Sequence, residues 1–160
     1  MKPIAALCLM GLVAACSPQP AAEATPTADT GAPARHRESG LAVVPLTVTT
    51  ANATHRFQVE VAATLADQQR GLMFRTAMGP DEGMIFPNSP PQVRSFWMKN
   101  TVIPLDIIYI GPDRRVLNIA RGEPYSTNSL PSAGPVINVL ELVAGRSEQL
   151  GIKPGDAVAW

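Results

Sequence analysis

The sequence predicts a mainly β protein, a compact single-domain β-barrel or sandwich with one or two short helices. Three observations carry that expectation. Short runs rich in branched residues alternate apolar and polar side chains, as in "AVVPLTVTT" at 42–50 and "HRFQVEVA" at 55–62. Turns bearing glycine or proline separate such runs at short intervals. Only one stretch carries a full set of helix start and stop signals.

The first two runs flank Ala51-Asn52-Ala53-Thr54, which reads as a hairpin turn. Thr64 then suits a helix N-cap, Asp67 the third helical position of a capping box, and Gly71 the residue just past the end. A turn-rich link through Gly79-Pro80-Asp81-Glu82-Gly83 leads into a short strand, Met84-Ile85-Phe86, and Pro87, Pro90 and Pro91 predict a loop after it. Strands are expected at 95–101 and 105–110, with Pro104 at the bend between them. Gly111-Pro112-Asp113-Arg114 places proline where a type I turn wants it and returns the chain into a strand at 115–120. A long loop at 121–134 precedes a strand at 136–142. A short capped turn at 147–150 then leads through Pro154-Gly155 to a last strand at 157–160. The total is eight or nine strands.

The N-terminal quarter has a different character. Lys2 is followed by the apolar run "IAALCLMGLVA" at 4–14, of the length of a signal-peptide core and short of the roughly 20 residues a membrane span needs. Val13-Ala14-Ala15-Cys16 resembles a bacterial lipobox. The expected organisation is a signal peptide over 1–15, a lipidated Cys16 opening a disordered Pro/Ala/Thr/Ser tether over 16–40, and one β domain over 41–160. The tether would reach roughly 25–30 Å. The expected location is the bacterial cell envelope, anchored by lipid and facing the periplasm, with Ser17 favouring the outer membrane. The two cysteines, Cys8 and Cys16, are both used up by this processing, so no disulfide is available to the mature chain. The chain has 13 basic and 13 acidic residues, and losing 1–15 removes only Lys2, leaving 12 against 13. That balance gives no electrostatic case for a nucleic-acid partner.

The stretch "FWMKNTVIPLDIIYI" at 96–110 sets polar residues inside an apolar pattern. Alternation puts Asp106 on a face with Ile108 and Ile110, Glu141 on a face with Ile137 and Val139, and Trp97 with Lys99, opposite Phe96, Met98 and Asn100. Glu60, beside Gln58, is expected on a solvated face. Buried carboxylates require partners, so Asp106 and Glu141 are expected to pair with Lys99, Arg75 or Arg70. A sharper reading gathers Arg70, Arg75, Lys99, Asn100, Asp106, Glu141 and Trp97 into a polar cluster that binds a polar ligand. A reading from another class makes Asp106 and Glu141 the acid and base of a carbohydrate-active envelope enzyme with Trp97 as platform. That chemistry needs roughly 5 to 9 Å between the two groups. No other catalytic arrangement is visible. His36 and His55 show no metal-ligand spacing, and Met73, Met84 and Met98 lie apart at core-like positions rather than in a copper-binding cluster. No cofactor motif is present. The favoured expectation is a non-catalytic binding or accessory domain, its partner a small polar ligand or an envelope protein.

Four blocks, "VEVAATLADQQRGLMFR", "DEGMIFPN", "FWMKNTVIPLDIIYI" and "VLELVAGRSEQLGIKPGDAV", resemble in order those of the family called domain of unknown function 192, or uncharacterised protein family 0127. The resemblance spans roughly residues 55–159. It implies a compact, mainly β domain, often exported or lipid-anchored, and supplies no reaction. The positions matching the family's signature polar residues are Glu60, Arg70, Arg75, Glu82, Lys99, Asn100, Asp106 and Glu141. The family pattern carries cysteines in the loop that here reads "GEPYSTNSLPSAGP"; this chain has none there.

Overall fold

The computed structural model describes residues 34–160. The expected signal peptide, Cys16 and most of the expected tether lie outside the described residues. Nine strands and two short helices follow in the order β1 Val43–Thr49, β2 Thr54–Val61, α1 Leu65–Arg70, β3 Glu82–Gln92, β4 Ser95–Phe96, β5 Leu105–Ile110, β6 Val116–Gly122, β7 Leu130–Pro131, β8 Val136–Val143, α2 Arg146–Leu150 and β9 Ala157–Ala159.

Seven strands form one mixed sheet in the order β6-β5-β8-β3-β2-β1-β9, and β4 pairs with β7 in a separate two-stranded ribbon. The expected hairpin joins β1 to β2, with Val43 opposite Glu60 and Thr49 opposite Thr54. Its turn is closed by Thr50, whose N–H donates to the Ala53 carbonyl at 2.9 Å. β2 and β3 run parallel, a pairing that needs a crossover, and α1 lies within it. The capping box is present in full: Asp67 N–H donates to Thr64 Oγ1 at 3.1 Å, Thr64 N–H donates to Asp67 Oδ2 at 3.1 Å, and Gly71 takes the C-cap at φ 48°.

The sheet has an apolar cluster on each face. Leu46, Val48, Phe57, Val59, Ile108, Ile110, Leu140, Leu142 and their neighbours form one. Met84, Phe86, Met98, Leu105, Ile107, Tyr109 and Val139 belong to the other. β5 is buried at all six positions because both clusters claim it, which accounts for its unbroken apolar run apart from Asp106. A single bridge, Arg115↔Ala157, touches the outer strands without extending into a ladder. The sheet therefore does not close into a barrel, and the architecture is sandwich-like.

Two elements differ from expectation for local reasons. β3 runs on to Gln92 through the proline-rich stretch expected to be a loop. Its pairing with β8 ends with Pro87 opposite Asn138 and resumes at Gln92, so Pro90 and Pro91 sit in a register shift where no ladder hydrogen bond is asked of them. The strand expected at 95–101 is only two residues long, because Asn100 adopts φ 58° and turns the chain. The inward and outward alternation survives nonetheless: Met98 is buried while Trp97 and Lys99 are exposed. Residues 35–42 close a bridged turn against β2, N-terminal to the domain start expected at 41.

Candidate functional site

Cross-strand register decides what the polar residues can do together. Glu60 on β2 lies opposite Met84 on β3, Met84 opposite Glu141 on β8, and Glu141 opposite Ile107 on β5. Directly opposed residues share a face, so Glu60 and Glu141 stand in one row, two strands apart, on the side of the second cluster. Asp106 lies opposite Leu142, which belongs to the other cluster. Asp106 and Glu141 thus point to opposite faces of the sheet. That arrangement overturns the expectation of an acid–base pair for carbohydrate chemistry, since no substrate bond can lie between them.

The ion-pair expectation for these two carboxylates also fails. Asp106 is buried, but its partners are backbone donors: Gly145 N–H at 3.0 Å to Oδ1 and Ser147 N–H at 2.9 Å to Oδ2. It supplies the cap that Gly145, which has no side chain, cannot give to α2. Lys99 is exposed and sits with Nζ 5.2 Å from the centre of the Trp97 ring, a cation–π contact. Arg75 is buried, and its partner is Glu60: Nη2 donates to Oε1 at 2.9 Å and Oε2 at 3.2 Å, while Nε meets Glu38 Oε2 at 3.2 Å. The Ser39 hydroxyl donates to Glu60, and His36 Nδ1 lies 3.5 Å from Oε2. Glu60, expected on a solvated face, is only 3 % exposed because Arg75 and the 36–39 turn cover it.

Glu141 differs from both. It is 4 % exposed, and no described residue donates a hydrogen bond or brings a cation to its carboxylate. Burial alone pushes its pKa up to about 8, so at neutral pH it is mostly a protonated acid. It forms part of the wall of a cavity of about 360 Å³ lined also by Gln68, Arg70, Phe86, Arg94, Phe96, Trp97 and Thr101. Phe86 and Phe96 meet edge-on at 5.0 Å, and Phe96 meets Tyr109 at 6.2 Å. The Tyr109 hydroxyl donates to the Leu130 carbonyl. Burial first, and the Glu141 carboxylate second, hold that phenol above its usual pKa.

Of the residues grouped as a cluster from sequence, Arg70, Trp97 and Glu141 line this one cavity, and Lys99 rests on Trp97. Asn100 reaches its edge, its amide 3.9 Å from the sulfur of Met73, another lining residue. Asp106 and Arg75 serve elsewhere. Sequence reasoning missed Arg94, Gln68 and Phe96. Arg94 and Gln68 lie 26 positions apart and meet through a 3.2 Å hydrogen bond from Nη2 to Oε1. Nothing local signals that contact. Among the described residues no group of three or more His, Cys, Asp or Glu could hold a metal ion.

Comparison with known proteins places the chain in a family and assigns no reaction. A crystal structure of a protein of unknown function from Novosphingobium aromaticivorans DSM 12444 is 53 % identical, covers 86 % of this chain and 99 % of its own, and superposes with a TM-score of 0.79. A structure from Sinorhizobium meliloti 1021, provisionally described as a transcription regulator, is 37 % identical, covers 74 % of this chain and 94 % of its own, and has a TM-score of 0.72. No curated protein matches. The sequence model of the domain of unknown function 192 family, DUF192, described as an uncharacterized ACR, matches residues 46–160. The chain belongs to the DUF192 family.

Proposed function

We propose that this protein is a non-catalytic binding domain of the bacterial cell envelope whose small ligand sits in the cavity over Glu141. The observation that carries the reading is the contrast within one cross-strand row. Glu60 is buried and matched by Arg75, whereas Glu141 is equally buried and left unmatched beside an open volume. An unpartnered polar group in the interior is costly, and such groups concentrate where a ligand completes them. The cavity falls in the size range of small-molecule sites and combines apolar walls with a few polar groups. The envelope address rests on the signal-like first 15 residues and Cys16, with a tether that lets the domain stand off its membrane. The provisional regulator description of the Sinorhizobium protein is not carried over, because a near-neutral chain with no basic run gives no electrostatic case for DNA.

The test is a screen of the purified protein against envelope sugars, peptidoglycan fragments, metabolites and metals, read by thermal midpoint and by amide and indole chemical shifts. Binding should raise the midpoint with ligand saturation and perturb Gln68, Phe96, Trp97 and Thr101 together. A folded Ser95→Trp variant, which places an indole into the cavity wall, should lose the response. Perturbations confined to the Asp106 face, or no response to any compound at millimolar concentration, would remove the reading.

A further inference from the structure

The charges around the cavity narrow what it can hold. Arg94 presents its guanidinium to the wall through neutral oxygens, Gln68 Oε1 at 3.2 Å and Asn88 Oδ1 at 3.4 Å, and lies 5.9 Å from the Phe96 ring centre. No carboxylate among the described residues lies within ion-pair distance of it, and the same holds for Arg70 at the exposed rim. The only acidic residue of the lining is Glu141, whose burial favours the protonated form. The wall therefore offers one half-buried positive charge and one acid able to donate, with no fixed negative charge. Phe86, Phe96 and Trp97 add flat apolar surface.

We propose that this cavity takes a small ring-bearing carboxylate, its anionic oxygens received by Arg94 on the wall that Glu141 shares, its ring packed on Phe86, Phe96 and Trp97. This rests on the cavity being a binding site. A neutral ligand would leave the Arg94 charge unanswered in a partly desolvated place, whereas a carboxylate matches the planar guanidinium fork. A phosphate dianion brings a second charge for which only the exposed Arg70 remains. Size agrees: a benzene-sized occupant needs about 150 Å³, so 360 Å³ holds a ring with a short acid-bearing arm.

The same arrangement couples binding to a proton. The titratable and charged groups around Glu141 are Tyr109 from β5, whose phenol feels the Glu141 charge, and Arg94 from the segment before β4 and Arg70 from α1, which line the same cavity, while β3 sets Met84 opposite it and Phe86 in the wall. With Tyr109 neutral and both arginines permanently charged, Glu141 is the group that titrates. A bound anion favours its protonated form, so above pH 8 the complex must take up a proton and affinity falls. The expected loss is about tenfold between pH 7 and pH 9.

The experiment measures Trp97 fluorescence and calorimetric binding in Trp160→Phe protein, using benzoate, phenylacetate and 3-phenylpropionate, their primary amides, and phenyl phosphate. At least one carboxylate should bind tenfold or more tightly than its amide at pH 7, with proton uptake at pH 9 and about a tenfold loss there. Arg94→Gln should erase the preference for acid over amide, and Glu141→Gln should erase the pH dependence. Amides binding as well as acids, or phenyl phosphate binding better than both, would overturn the ligand class and leave the cavity reading standing. The class alone also fails if none of these binds while a cationic or neutral compound from the wider screen shifts Trp97. Silence from every compound in both experiments overturns both.

Discussion

Replacing Glu141 with glutamine should stabilise the protein, and the gain should depend on pH in a defined way. In the unfolded chain the carboxyl titrates near its ordinary value of 4.5, and in the folded protein burial moves it to about 8. Below 4.5 both states hold the proton, so glutamine and the acid are nearly equivalent. Between 4.5 and 8 the folded state keeps a proton that the unfolded state has released, and wild-type stability falls as pH rises. At about 1.4 kcal/mol per unit over 3.5 units the total reaches about 5 kcal/mol, then stays level above pH 8. For a domain of this size that corresponds to a shift of roughly 15–20 °C in midpoint. Other carboxylates and histidines titrate in the same window, which is why the quantity to measure is the difference between wild type and Glu141→Gln. Urea unfolding of both at pH 4, 6, 8 and 9 gives it. A difference that is flat across that range would refute the reasoning, because it would mean that Glu141 ionises in the folded protein as freely as in the unfolded one. A gain of this kind on removing a side chain is the mark of a group kept for function at the expense of stability.

Three further sets of substitutions test the rest of the architecture. Arg75→Met should cost about 3–5 kcal/mol in urea unfolding by leaving Glu60 buried and charged, and adding Glu60→Leu should recover most of that loss. Asp106→Asn keeps shape but leaves one acceptor oxygen for two backbone N–H donors, so it should cost about 1–3 kcal/mol and speed hydrogen exchange at the Gly145 and Ser147 amides without altering the cavity. Two glycine replacements should differ in severity. A Cβ at Gly83 would come within 2.6 Å of the Glu141 carbonyl oxygen, whereas one at Gly122 would meet the flexible Met98 side chain at 2.5 Å. Gly83→Ala should therefore be the more damaging in thermal unfolding, at the upper end of the roughly 1–3 kcal/mol of overpacking or beyond, and Met98→Ala should relieve only Gly122→Ala.

What could be read from the sequence follows the range of the interaction. The α1 capping box spans four consecutive residues, and Thr64, Asp67 and Gly71 each occupy the place their chemistry indicates. Alternation within β5 is also local, and it correctly sets Asp106 with Ile108 and Ile110 and apart from Ile107 and Tyr109. The relation between strands is not local. Whether Glu141 joins the face of Asp106 or the opposite one depends on register with β5, and a slip of one residue would reverse the answer. The same limit explains Pro90 and Pro91 of β3, tolerated where the ladder with β8 is interrupted.

Charge pairing shows the limit most sharply. Glu60, Asp106 and Glu141 are all buried carboxylates on strands, although the sequence pattern sets Glu60 on a solvated face and only Asp106 and Glu141 among buried residues. The fold answers them in three ways: an arginine 15 residues downstream for Glu60, two backbone amides beyond β8 for Asp106, and nothing for Glu141. Chain spacing carries no information about which answer each receives, because Arg75 and Gly145 both lie outside regular strands, in segments positioned by tertiary packing. The informative fact is the residual one. Once Arg75 is committed to Glu60, Lys99 to Trp97 and the α2 amides to Asp106, Glu141 is left lining a cavity whose half-buried guanidinium, Arg94, is held by amide oxygens rather than by Glu141. An acid and a cation that line one cavity without pairing, more than any single residue, define the site.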